Sequence, residues 1–222
     1  MIASILLFLW LPLSSVANPT CDEVAVKLKN GDLVFLSIDK FLFRQVAKAT
    51  LSWTNHVGIA FQGKRGWVVY ESTFPFSKVT SLCDYMDRSL PGMVGVKRLA
   101  DLSEDESKLI RKEAKARLGI LYHQGFDYDS SRQFCSKFVY DAFASLRRLE
   151  IGHKQTFADL FRNAEEKMSR SSFEDTKSFF DWWFAILGGI PYDRTTVTPA
   201  SQWEDPDLES VIEPDLSNFE EL

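Results

Sequence analysis

Cysteine and histidine are scarce in this chain, with three of each in 222 residues. No spacing among them resembles a zinc site, so no metal or other cofactor is expected. The odd cysteine count means that a bridge between Cys21 and Cys83 would leave Cys135 free. Spacing alone leaves open the other reading, in which all three are unpaired and two are simply buried. Basic charge is also in deficit. Lys and Arg total 26 against 31 Asp and Glu, a net charge of −5. That balance argues against a nucleic-acid binder that works by neutralising phosphates. There is no phosphate loop, sugar-binding motif, internal repeat or linker, and the length fits one mature domain.

Long apolar runs are missing too. Met1–Leu13 and Trp182–Leu187 are both too short for a confident membrane span. The first run ends in Ser14-Ser15-Val16-Ala17, the small residues of a signal-peptidase site, although no Lys or Arg precedes it. Residues 1–17 therefore read as a secretory signal and 18–29 as an extension. The main domain would cover 30–212, followed by an acidic, disordered tail over 213–222. The expected location is outside the cytoplasm, in bacterial terms the periplasm.

What is present is apolar material, 45% of the chain with 14% aromatic, enough for a sizeable core. Leu33–Leu36 reads as a short buried strand after the Asn30-Gly31-Asp32 turn. A helical stripe runs from Asp39 to Trp53. His56–Phe61 and Trp67–Glu71 flank the Gln62–Gly66 turn as a β-hairpin, with His56 and Glu71 at its open end. Val94–Leu99 is a further strand. Ser103 and Glu106 form a capping box for a helix reaching Leu118, with Gly119 beyond its end. Ser131 or Asp129 would cap a helix that carries Cys135, and two further helices cover 156–168 and 173–187.

Three side chains could carry chemistry. A cysteine near a helix start gains roughly 0.3–1 kcal/mol for its anion when exposed. With a neighbouring imidazolium, such a thiol becomes a nucleophile at neutral pH. His56, at a strand start, could act as its base. Glu71, on the pairing strand, could accept the second ring N–H and fix the tautomer. Each is ordinary alone: a lone cysteine is more often a buried hydrophobe, a strand-end histidine is often satisfied by backbone, and a strand-end glutamate is often solvated. In compatible elements they support one another. His123 and His153 lack such a setting. The clusters Phe41-Leu42-Phe43 and Phe179–Phe184 fit core helices, or else an acyl-chain or membrane-facing surface.

The strand Gly31–Phe35 followed by His56–Ile59 resembles the papain-like NlpC superfamily, and the cysteine segment Phe134–Tyr140 comes last. The histidine-before-cysteine order resembles its circularly permuted branch, which includes YiiX/YaeF-type amidase-like proteins and lecithin retinol acyltransferase. The resemblance implies an α+β, circularly permuted papain-like fold with a small antiparallel sheet packed against helices. It implies a cysteine hydrolase of the amidase or peptidase type, with Cys135 as nucleophile, His56 as base and Glu71 as the third polar residue. Many relatives have His at that third position. Tyr122, thirteen residues before Cys135, would help to build the oxyanion site, or else is a core aromatic. The expected substrate is a small molecule, lipid or peptide. Alternatives are a lipid acyltransferase and a non-catalytic binding module that keeps the cleft.

Overall fold

The computed structural model describes residues 19–146 and 149–217. The signal-like run at 1–17 and the last part of the acidic end, 218–222, lie outside them. In chain order the elements begin with α1 (Cys21–Ala25), β1 (Leu33–Ile38), α2 (Phe41–Ala49), β2 (His56–Gly63), β3 (Gly66–Glu71) and β4 (Lys78–Ser81). Next come α3 (Leu82–Met86), β5 (Ser89–Leu99), α4 (Glu104–Ala116), α5 (Cys135–Phe143), β6 (Gln155–Thr156) and α6 (Phe157–Lys167). The chain continues through α7 (Arg170–Trp183), β7 (Thr195–Thr196), α8 (Pro199–Trp203) and β8 (Leu208–Ile212). Six strands make one sheet in the order β4-β3-β2-β1-β5-β8, and β6 pairs with β7. All neighbours in the larger sheet are antiparallel. The expected mixture of helices and a small antiparallel sheet is present.

Strand periodicity splits the core in two. Leu33 and Phe35 of β1 join Val57, Ile59 and Phe61 of β2 under Phe138, Val139 and Ala142 of α5. Val34, Leu36 and Ile38 point the other way, towards Val69, Tyr85 and Val24. Because β1 is buried on both faces, it reads as a continuous apolar run rather than an alternation. A third core fills the space between α2, α6 and α7, around Ala49, Phe161 and Phe180.

Local signals explain most helix ends. Ser103 and Glu106 do form a reciprocal capping box on α4, and Thr156 does so with Asp159 on α6. Helix α2 is shorter than its apolar stripe predicts. Leu51 turns to φ 52°, and the chain then leaves the helix. The side chain of Asn55 accepts from Ile38 N at 2.8 Å and donates to Ile38 O at 3.2 Å, while Thr54 Oγ1 donates to Leu36 O at 2.9 Å. These bonds pin the turn that delivers His56. Strands β4 and β8 and helix α3 were not apparent in the sequence pattern, being short and flanked by polar residues. The segment read as an extension packs into the second core through Val24 and Leu28.

Cys21 and Cys83 form a disulfide with Cα atoms 5.2 Å apart, tying α1 to α3 across 62 residues of chain. Cys135 is free and buried. Replacing both bridged cysteines with Ser should destabilise the fold by about 2–5 kcal/mol, because the unfolded chain regains a long loop. Guanidinium titration of the variant against the oxidised protein checks this.

Candidate active site

Cys135 is the first residue of α5. The N-cap is Phe134, with no side-chain hydrogen bond to the helix. This corrects the expectation that Ser131 or Asp129 caps it. Ser130 instead accepts from Arg132 N, and Asp129 N donates to Asp127, so this stretch bonds within its own turn. The consequence is chemical. An apolar cap leaves the first-turn N–H groups without a competing side-chain acceptor beside the sulfur. The first turn is held from behind: Ser136 Oγ donates to Val197 O at 2.7 Å, and Gln202 Nε2 donates to Ser136 O at 2.9 Å. Thus the Val197–Ser201 segment and α8 brace the cysteine helix.

His56 opens β2 and Glu71 closes β3. The register pairs Ile59 with Tyr70, so Glu71 lies diagonal to His56 rather than opposite it. Gly58 lies opposite Glu71 in this register. A Cβ there would come within 2.5 Å of Val69 Cγ1 and 3.3 Å of the Tyr85 ring, so the glycine makes room first for Val69 and then for Tyr85. The diagonal contact closes: His56 Nε2 donates to Glu71 Oε2 at 2.7 Å, with both side chains fully buried. The His56 ring lies between Tyr85, whose centroid is 5.6 Å away, and Phe43, at 6.1 Å.

The other ring nitrogen, Nδ1, is buried and has no hydrogen-bond partner. Cys135 nevertheless acts on the ring. Burial is the largest influence on His56 and disfavours its proton. Interaction with the Cys135 thiol and with Glu71 outweighs burial, and the pKa rises above the ordinary value. Cys135 is thus near enough to act on the ring, and Nδ1 is the ring nitrogen that Glu71 leaves over.

Glu71 has further partners that the sequence did not disclose. Thr80 Oγ1 donates to its Oε1 at 2.6 Å, and Arg88 Nη2 reaches Oε1 at 2.9 Å and Oε2 at 2.8 Å. Burial pushes the Glu71 carboxyl up, but the bond and charge of His56, the Arg88 guanidinium and the Thr80 hydroxyl bring it down to about 2. Thr80 and Arg88 carry no motif. Only the pairing of β4 with β3 and the turn through α3 bring them here.

Tyr122 also arrives by strand-like pairing. It bridges Gln133 in parallel, two residues before Cys135, and its N–H donates to Pro75 O at 2.9 Å. Its hydroxyl is held well above the usual range by burial, reinforced by the charge and hydrogen bonding of Cys135. All four candidates, Cys135, His56, Glu71 and Tyr122, therefore converge. His123 lies apart from them, and its Nδ1 accepts from Gly125 and Asp127 N–H groups.

Cys135 opens onto a cavity of about 300 Å³. Its walls include Phe43, Val46, Phe126, Leu160, Phe161 and Phe180, and Lys40 is the one charged residue among those described that line it. The aromatic clusters thus divide. Phe180 and Phe184 are core, whereas Phe41 and Trp182 are 59% and 69% exposed. Among the described residues, no group of three or more His, Cys, Asp or Glu is placed to hold a metal.

Residues 27–212 match the family of permuted papain-like amidase enzymes, the YaeF/YiiX or C92 peptidase family. The chain belongs to this family. Its fold is also that of the metalloprotein YiiX of Escherichia coli O157:H7, with a TM-score of 0.73 at 20% identity, covering 85% of this chain and 98% of that one. A comparison with curated proteins found no match. The family description is that of an amidase of the cysteine-peptidase kind, consistent with a hydrolase. Within this C92 chain, Glu71 supplies a pH signature. The unfolded carboxyl binds its proton near 4.5, the folded one only near about 2. Its stabilising contribution is present above pH 4.5 and is lost as pH falls from there towards about 2. Melting temperatures measured across that window should fall in the parent protein, and Glu71→Gln should flatten this part of the curve.

Proposed function

We propose that this protein is a cysteine hydrolase that cleaves an ester or amide carrying an apolar acyl group. The observation that carries the reading is the buried Glu71–His56 bond, with the second imidazole nitrogen left over beside Cys135 at the start of α5. The Cys135 sulfur attacks the acyl carbon while its proton passes to His56 Nδ1. First-turn N–H groups of α5 and the Tyr122 hydroxyl receive the oxyanion. His56 then protonates the leaving alcohol or amine as its bond to carbon breaks, leaving a thioester on Cys135. Water, deprotonated by His56, hydrolyses that thioester and releases the acid and the thiol. Glu71 holds the ring throughout and stabilises the imidazolium.

The apolar cavity supports an acyl chain over a polar peptide as the group bound beside the sulfur. The same thioester could be transferred to an amine or alcohol, and the apolar walls, which disfavour water, support that second reading. We place the protein outside the cytoplasm, on the strength of the Cys21–Cys83 disulfide and the leading apolar run. Among the described residues, no helix is long and apolar enough to cross a membrane.

A p-nitrophenyl ester series and a thiol-reactive acylating probe test the mechanism. Cys135→Ala should lose labelling and turnover, and His56→Ala should lower kcat/KM by about 10³-fold or more. Labelling that persists in Cys135→Ala would sink the reading. Product analysis with an added alcohol or amine acceptor separates the two outcomes, since the transfer product outweighs the free acid only in an acyltransferase. Medium-chain esters should be preferred to acetate. Val46→Trp, which fills the cavity, should reduce that preference, as read from kcat/KM along the series.

A further inference from the structure

We propose that Arg88 is a positioning residue, holding Glu71 as an oriented anion so that His56 can be neutral when it must act as a base. This role rests on the cysteine-hydrolase reading. Glu71 has no exposed surface, and its two oxygens accept from three side chains. Oε2 faces both His56 and Arg88, and Oε1 faces both Thr80 and Arg88. Arg88 therefore touches both oxygens and fixes the rotation of the carboxylate that aims Oε2 at the imidazole.

During turnover His56 alternates between imidazolium and imidazole. In the first state it neutralises Glu71. In the second, the only cation paired with this buried carboxylate among the described residues is the Arg88 guanidinium. A buried carboxylate with no cation is costly and tends to retain a proton. Without Arg88, the pair would hold on to the His56 proton, and the step needing a neutral imidazole would weaken. The groups facing His56 are Glu71 from β3, Cys135 from α5 and Tyr85 from α3, with Arg88 behind Glu71 and Tyr122 beside Cys135. Of these, Arg88 supplies the positive charge beside Glu71 when the imidazole is neutral.

Arg88 is itself held. Its Nε donates to Tyr85 O at 3.3 Å, and its guanidinium lies 4.7 Å from the centroid of the Tyr85 ring, the same ring that packs on His56. Helix α3, which carries Tyr85, is tied to α1 by the Cys21–Cys83 bridge. The guanidinium is thus placed by an element covalently fixed to the second core.

The test reads His56 directly, by NMR titration of its imidazole in Arg88→Met and Arg88→Gln, beside the acid limb of p-nitrophenyl ester turnover. Both variants should raise the His56 midpoint by about one pH unit, the size expected from removing a nearby charge. Turnover at neutral pH should drop about tenfold and recover as pH rises. Arg88→Lys should restore the midpoint. Gln keeps a donor without charge, so it carries the expectation if the Met variant fails to fold. Unchanged midpoints, or a loss of turnover by one factor at every pH, would overturn the proposal. If the parent protein turns over no ester while the midpoints still move, the hydrolase reading fails and the positioning role of Arg88 stands.

Discussion

A carboxylate with no access to water ends β3, and the rest of the site is arranged around it. An uncompensated anion in that position would be strongly unfavourable. Glu71 is compensated by His56 from β2, Thr80 from β4 and Arg88 from beyond α3. Three separate pieces of chain must therefore be in register before the imidazole is held. The sheet order β4-β3-β2 brings the first two together, and the disulfided α3 brings the third. Stability and the geometry of the candidate site are joined here, since the bonds that make Glu71 tolerable also orient His56.

The cysteine half of the site is built by different means. Helix α5 lies on the sheet through Phe138, Val139 and Ala142, which sets its axis. Val197 and Gln202 brace its first turn by bonds to Ser136, and the Tyr122 segment pairs with Gln133 just ahead of it. The apolar cap Phe134 serves packing and the cavity wall rather than the helix end. A side-chain cap is given up locally, which leaves the first-turn N–H groups beside the sulfur without one. Helices α2, α6 and α7 enclose the cavity in front of the sulfur, so an aromatic-rich third core doubles as its lining.

The parts legible in the sequence were those set by short-range rules. The hairpin from His56 to Glu71 follows from alternation around a glycine-bearing turn, and the Ser103–Glu106 cap follows from a three-residue spacing. The residue types Cys135, His56, Glu71 and Tyr122 were visible as chemistry, and the structure brings them together. The cap of α5 was misread because Ser131 and Asp129 are good capping types, yet the chain between them and Cys135 is already pairing with the Tyr122 segment. Thr80 and Arg88 had no signal, because the strand of the first is short and polar and the second follows a helix of only five residues.

The sequence by itself therefore determined which groups could react and the order in which the chain presents them. Helix and strand periods and capping bonds act over a few residues and can be read one window at a time. Only the tertiary structure decided that the carboxylate is diagonal to the histidine, that an arginine stands behind it, and that the sulfur faces an apolar cavity. Those features depend on strand register and on contacts between residues far apart in the chain, where burial and charge compensation are settled together.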